Sequence, residues 1–378
     1  MAKLGEVCKV SPSTKNIERQ GAWLLNLDMV EQQTGRVVEY NFVGEDDLNG
    51  SIIQFDTENV LYSKLRPNLN KVVLPEKDGF STSELLPLRP DASVLNRDYL
   101  AVFLRSDSFV TWAVSKTAGA KMPRLGTKDL MNAEIPVPNI ERQKEIAEKF
   151  KKLEQLISLR KQQLTKLDEL VKARFVEMFG DEQAFNKEPL SQNVEEMFIG
   201  PFGSSLKNES FVSKENGYCM VYEQKHAIRK TMDVETRYID KPKYEELKRF
   251  SIHGGDIIVS CRGTIGETYI VPLNAPLGIM HPSIMKIRVK ESIYNRVFFD
   301  FLLQEKLKKH EAQANGSGVK MAVTASALGK EEFIVPSIPF QNQFAAFVER
   351  VDQQKQTVQQ SLEKLELMKK VLMQEYFG

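Results

Sequence analysis

The sequence predicts an α+β protein of mixed α/β composition, made of two tandem copies of one unit joined by two long helices. Three observations carry that prediction. Residues 143–179 place apolar side chains at alternating spacings of four and three: Ile146, Phe150, Leu153, Ile157, Leu164, Leu167, Val171 and Met178. Only Arg160 and Arg174 break that seam. The pattern returns 198 residues later as Phe344, Val348, Val351, Val358, Leu362, Leu365, Leu372 and Tyr376, with Lys355 and Lys369 in the seam. The third observation is that the motifs ahead of each helix recur in the same order at offsets of 197 to 199. Two such units tend to pack with pseudo-twofold symmetry. The helices are expected to pair as an antiparallel coiled coil.

The elements of the first copy follow in order. After LGEVCKV comes a polar, turn-rich segment to about residue 50. Strands are predicted over 51–55, 60–64, 71–74 and 85–88, separated by Pro, Asn, Asp and Gly. One helix is predicted over 98–115, with Tyr99, Val102, Phe103, Phe109 and Val110 on its apolar side. The loop TAGAKMPRLGT and an extended AEIPVP lead to the long helix, whose start is marked by Asn139 and Glu141 after Pro138.

The second copy replays this order. GDIIVSCRGTIGETYIVP, from Gly255, falls on ENVLYSKLRPNLNKVVLP, from Glu58. YNRVFFDFLLQEKL matches the first helix, SGVKM meets AGAKM, and FIVPSIP meets AEIPVP. The polar segments near 15–49 and 207–249 show no such likeness. Domain limits are placed at 1–138, 139–180, 181–338 and 339–378.

Composition narrows the classes. At 378 residues, 42% hydrophobic and 27% charged, the chain can bury two or three cores and is neither disordered nor fibrous. The Met1 region is neither an apolar signal nor an amphipathic transit segment. No run approaches the ~18 apolar residues of a membrane helix, so no membrane attachment is expected. Cys8, Cys219 and Cys261 are scattered and odd in number, which suits a reducing cytoplasm. A net charge of +1 argues against a generic polyanion binder, but not against a sequence-specific one.

Several motifs carry side chains that bind phosphate oxygens and base edges. Tyr62, Ser63, Lys64, Arg66, Asn68 and Lys71 cluster at the turn after a strand. The second copy keeps a hydroxyl and an arginine there, with Ser260, Arg262 and Thr264. GPFGSSLK supplies Gly203, Ser204, Ser205 and Lys207 on a tight loop whose amides can approach a phosphate. Lys121 and Arg124, and then Lys320 and Thr324, stand at the junctions with the long helices. Each of these motifs also reads as an ordinary solvated turn.

Catalytic patterns are missing. No G-x-x-x-x-G-K-[ST] occurs, and His226, His253, His281 and His310 lack the Cys or carboxylate spacing of a zinc site. Asp256 aligns with Asn59 and reads as a turn residue.

In this order and duplicated, GPFGSSLK, VLYSKLRPNLNKV, GDIIVSCRGTIG, AGAKMP with SGVKMA, IPVPNIERQKEIA with VPSIPFQNQ, and the endings MFG and YFG resemble the specificity subunits of type I DNA restriction-modification systems. The resemblance spans essentially the whole chain. It implies two target-recognition domains, each reading one half of a bipartite duplex DNA sequence, and helices that set the gap and dock two methyltransferase subunits. Restriction/translocase subunits complete such a complex. S-adenosylmethionine, ATP and Mg belong to those partners, and the chain itself is expected to be non-catalytic and without metal. A second reading is a coiled-coil adaptor that binds only protein, and a third, which no cofactor or metal pattern in the sequence supports, is a self-contained nuclease or methyltransferase.

Overall fold

The computed structural model describes residues 1–48, 51–119, 121–262, 264–317 and 324–378. The chain divides into two compact units, Met1–Leu164 with Thr357–Gly378, and Thr165–Gln356. Each unit therefore takes a piece of both long helices, a different partition from four segments in series.

Unit 1 begins with β1 (Ala2–Lys3), α1 (Leu4–Val7), β2 (Cys8–Val10), β3 (Ala22–Leu25), β4 (Asn41–Val43) and β5 (Ile52–Phe55). It continues through β6 (Val60–Ser63), β7 (Val72–Val73), β8 (Gly79–Thr82), β9 (Leu85–Pro90), α2 (Arg97–Leu104) and α3 (Asp107–Ser115). Then come β10 (Thr117–Ala118), β11 (Arg124–Leu125), α4 (Thr127–Met131), β12 (Glu134–Ile135) and the long α5 (Ile140–Phe179). Unit 2 holds β13 (Lys187–Pro189), β14 (Val194–Ile199), β15 (Cys219–Tyr222), α6 (Gln224–Arg229), β16 (Tyr238–Ile239), α7 (Lys241–Leu247) and β17 (Ser251–Ile252). It closes with β18 (Ile257–Ser260), β19 (Thr268–Ile270), β20 (Gly278–Met280), β21 (Ile284–Val289), α8 (Arg296–Ser317), α9 (Ala325–Lys330), β22 (Glu332–Ile334) and α10 (Ile338–Phe377).

The helix predicted over 98–115 is two helices. Ser106 starts the second by accepting the Phe109 N–H at 3.3 Å on its hydroxyl, so the chain breaks at a cap. Duplication, by contrast, runs deeper than the sequence suggests. The antiparallel order β2-β9-β6-β7 is repeated as β14-β21-β18-β19. The mixed order β4-β3-β8-β5, with β3 and β8 parallel, is repeated as β16-β15-β20-β17 with β15 and β20 parallel. The polar segments that look unrelated thus carry matching strands. Backbone pairing preserves the sheet while the outward side chains drift.

Both units share one lock at the start of their long helix. Gln143 is fully buried, and its Nε2 donates to the Val94 carbonyl at 2.8 Å and the Pro138 carbonyl at 2.7 Å. Its Oε1 accepts the Asn96 N–H at 2.8 Å. Gln341, also fully buried, repeats this with Ile293 at 2.8 Å, Pro336 at 2.7 Å and the Asn295 N–H at 2.9 Å. One side chain in each unit satisfies three backbone groups that would otherwise be orphaned inside.

The helices pair antiparallel. In unit 1, Lys161 meets Glu366 at 3.0 Å and Glu154 meets Lys369 at 2.8 Å. In unit 2, Asp168 meets Lys355 at 2.8 Å, and the Phe175 ring lies 5.5 Å from that of Phe344. Every predicted seam residue is buried or half-buried. The closing aromatics go deeper than the heptad reading places them. Phe377 packs on Tyr99, Phe103 and Phe150, and its carbonyl accepts the Ser108 hydroxyl at 2.5 Å. Phe179 packs on Phe298, Phe340 and Phe344.

Each unit also buries a carboxylate against an arginine of its central sheet. Asp56 pairs with Arg89 at 2.6 Å, and Asp256 with Arg288 at 2.7 Å. Asn59 and Asp256 do hold matching places: Asn59 Oδ1 accepts the Asp56 N–H and Asp256 Oδ2 the His253 N–H. The acid has moved three residues within the turn, so Asp256 is a buried ion-pair member rather than a mere turn residue. Burial alone would raise the Asp56 carboxyl. The Ser13 hydroxyl, Arg89 and the Glu58 N–H more than offset it, holding the group below the usual aspartate range.

Two outcomes are expected in denaturation experiments. Gln143→Ala or Gln341→Ala, leaving three buried backbone groups unpaired, should each cost about 2–4 kcal/mol in its own unit. The folded Asp56 pKa lies below its unfolded value, so its contribution is present above the ordinary aspartate pKa and fades as pH falls through the folded one. Arg89→Ala should therefore raise the pH at which unit 1 begins to unfold in acid, and an unchanged acid limb would count against the pair.

Candidate nucleic-acid interface

In unit 1 the sheet positions two of the predicted motifs side by side. The turn after β6 is clamped to the segment before α4. The Arg66 N–H donates to the Pro123 carbonyl at 2.8 Å and the Leu125 N–H to the Lys64 carbonyl at 2.9 Å. Residues 61–68 and 121–125 therefore form one continuous edge.

The turn itself is strained. Arg66 has φ +50° and Asn70 φ +49°, on either side of the buried Pro67. A left-handed arginine costs ~1–2 kcal/mol, which only surrounding contacts can hold. Its guanidinium is exposed and has no hydrogen bond or ion pair among the described residues. Asn68 and Lys121 are exposed beside it, and Lys64 is half-buried.

Other predicted contacts are taken up by the fold. Tyr62 is buried with its ring edge-on to Phe109 at 5.8 Å, and Ser63 is buried with its hydroxyl on the Leu65 carbonyl at 2.9 Å. Ser260 repeats that role, accepting the Glu267 N–H at 3.0 Å. The hydroxyl common to both copies therefore closes a turn. Lys71 donates its ammonium to the Leu27 carbonyl, and burial lowers its pKa. Arg124 pairs with Glu84 at 3.1 Å. Thr324 caps α9 through the Ala327 N–H at 3.1 Å. Lys320, with the loop 318–321, lies outside the described residues.

Unit 2 gathers its motifs differently. β14 has six residues where β2 has three, so it reaches the start of β21. There the Gly200 N–H donates to the Ile284 carbonyl at 3.0 Å, and on the other side Cys261 donates to the Ser283 carbonyl at 2.9 Å. GPFGSSLK and SCRGT thus leave the same rim of one sheet, two strand spacings or about 10 Å apart. Arg262, Thr264, Gly203, Ser204 and Lys207 are exposed there, and Ser205 is half-buried. Neither Arg262 nor Lys207 has a charged partner among the described residues.

The rim includes residues that no motif announces. The His281 N–H donates to the Tyr222 carbonyl at 2.8 Å, bringing the end of β15 beside it. Glu223 pairs there with Lys225 at 2.7 Å and with Arg237, whose guanidinium lies 4.0 Å from the centre of the Phe211 ring. Burial raises the Glu223 carboxyl, but those two cations outweigh it and leave the group ionised at neutral pH. Burial pushes the His281 imidazole down; Glu223 opposes, while Arg237, Arg262 and Lys225 add to the lowering. The imidazole at this rim is accordingly neutral at pH 7. Only a matched second sheet brings these residues together, and the sequence likeness within 207–249 is too weak to show it.

The rims therefore present exposed cations, amides and hydroxyls on rigid strand ends. That is a surface suited to phosphate and base-edge contacts. Among the described residues no helix is long and apolar enough to cross a membrane, and no cluster of metal-ligating side chains occurs.

Comparison with known proteins identifies the family. The family profile described as type I restriction modification DNA specificity domain matches twice, over residues 1–169 and 199–367. The chain belongs to that family. The type I restriction enzyme EcoDI specificity subunit of Escherichia coli is 27% identical over 124 residues, which cover 33% of this chain and 27% of that protein. The match thus spans about a quarter of that relative. Among solved structures, a chain from work on complex assembly and conformational transition of the type I R-M system aligns with a TM-score of 0.58. It is 16% identical, over 100% of this chain and 96% of that one. The type I restriction-modification S subunit from M. genitalium aligns at 0.55 and 16% identity, over 100% and 95%. At such identities the likeness concerns the fold.

Proposed function

We propose that this chain is the DNA-recognition and scaffolding subunit of a type I restriction-modification complex. In this reading each unit reads one half of a bipartite duplex target, and the long helices set the gap and dock two methyltransferase subunits. The observation that carries it is the pair Arg66 and Arg262. Both stand on the turn that follows the same central strand of the two copies, both are exposed, and neither is paired among the described residues. Their surroundings differ, Lys64-Leu65-Arg66-Pro67 against Cys261-Arg262-Gly263-Thr264, as expected for two different half-sites. Arginine is the usual bidentate reader of guanine.

A protein partner is supported by the flanks of the helix pair in unit 1. In heptad terms Lys161 and Glu366 are both e positions and form an ion pair on one flank. The other flank bears the g and c positions, where Leu156, Leu159, Met368 and Val371 are 45%, 58%, 53% and 56% exposed. Apolar side chains grouped at the same level of two antiparallel helices make a surface that another helix can cover. Catalysis, with S-adenosylmethionine, ATP and Mg, belongs in this reading to the methyltransferase and to restriction/translocase subunits. The assembly works in the cytoplasm.

Two experiments test this. Selection of bound duplexes by the chain co-expressed with its methyltransferase should return a two-part motif. Arg66→Ala should then relax one half and Arg262→Ala the other, each at about 1–3 kcal/mol. Equal losses on random duplex would assign the arginines to phosphates instead. Leu159→Glu with Val371→Glu should abolish co-purification of the methyltransferase with the chain still folded; retention would leave the apolar flank without that role.

A further inference from the structure

Unit 2 carries an apolar side chain at its rim that the reading above leaves unused. Phe202 is 86% exposed, more than any other large apolar residue among those described. Isolated exposed phenylalanines are common and need no explanation, so exposure alone proves nothing. What distinguishes this one is its mounting.

The loop that presents it is fixed on both sides. Pro201 before it is buried, and Leu206 after it is buried against Val221, Ile239 and Leu247. Gly200 hydrogen-bonds to Ile284, and a Cβ there would stand 2.3 Å from the His281 carbonyl oxygen, so the chain hugs the sheet up to the residue before Pro201. The Phe202 carbonyl then accepts the Ser205 N–H at 2.9 Å, which closes a short turn. At Gly203, by contrast, an added Cβ would meet nothing within 4 Å. The ring thus projects from a braced loop at whose outer side the space is open.

Its neighbours are the groups assigned to DNA. Arg262 leaves the same rim across one intervening strand, and the exposed Lys207 follows the loop without a charged partner among the described residues. Among the described residues unit 1 has no counterpart. After Ser11, whose N–H still donates to the Pro87 carbonyl at 2.9 Å, the chain leaves this sheet, and Ser13 turns inward to donate to Asp56 at 2.7 Å.

We infer that Phe202 is a wedge that enters the duplex at a base step of the half-site read by unit 2, beside the contact made by Arg262. This rests on the proposed function. An apolar ring can part a stacked step and kink the duplex away from the side it enters, and the step that parts most easily is then selected without a hydrogen bond. Unit 2 would in this way read deformability as well as base edges, and unit 1 base edges alone.

The test uses the full chain with its methyltransferase and its selected duplex target. 2-Aminopurine replaces one base at a time across the unit 2 half-site, omitting the adenine that becomes methylated. Wild type is expected to raise the fluorescence at one step. Phe202→Ala should abolish that rise and weaken target binding about tenfold or more, and Phe202→Leu should restore part of both. Arg262→Ala should weaken binding while leaving the step unstacked in the complex that still forms. Unchanged fluorescence and affinity in Phe202→Ala would overturn the wedge and leave the proposed function standing. Normal DNA binding by Phe202→Ala with loss of the methyltransferase would make the ring a protein contact. Absence of any duplex binding by wild type would overturn both.

Discussion

Two buried glutamine amides hold this molecule to its plan. Gln143 and Gln341 sit on the first turn of their long helices, and each answers three backbone groups of the domain that precedes it. A glutamine in such a place cannot shift without stranding its partners, so the direction of the helix is fixed relative to the sheet. The closing aromatics complete the constraint at the far end of each long helix. Phe377 belongs to the core of unit 1 and Phe179 to that of unit 2. Unit 1 is finished only when α10 returns from the end of the chain, and unit 2 closes when the last turn of α5 packs on α8 and the start of α10. In the proposed reading this matters, because a DNA-reading surface is useful only if its mount does not give.

Above that shared frame the two rims diverge. The sheets pair alike strand for strand, yet unit 1 ends in a strained turn held by Pro123 and unit 2 in a longer β14 that lifts a phenylalanine to the surface. Backbone hydrogen bonds and buried ion pairs resist change, while strand ends exposed to water can vary at small cost. A duplicated frame with unlike rims is the physical form expected of a reader whose two half-sites differ.

Much of the fold is legible in the amino-acid sequence. The heptads, the offsets and the strand at 60–64 all show there, because periodic burial leaves periodic sequence. The break at Ser106 does not, since a capping serine inside an apolar run looks like one more helical position. The match between 15–49 and 207–249 is hidden because pairing is made by the backbone and leaves little trace in side chains. The site is half legible. Residue type points equally to Arg66 and to Arg124, and only the structure shows Arg124 held by Glu84 while Arg66 stays unpaired among the described residues. Ser63 and Ser260 have the chemistry of phosphate ligands, but burial turns them to closing their own turns. Glu223, Arg237 and His281 leave no signal, because their neighbourhood is formed across sheets.

In the proposed reading, two unlike readers on one chain direct a methyltransferase to one bipartite sequence. Mapping of modified adenines in a host that co-expresses the chain and its methyltransferase tests it most directly. One asymmetric two-part motif with a constant gap and modified adenines in both halves is expected. Modification without sequence preference, or none at all despite a stable complex, would contradict it and leave a helical adaptor whose two sheets serve another ligand.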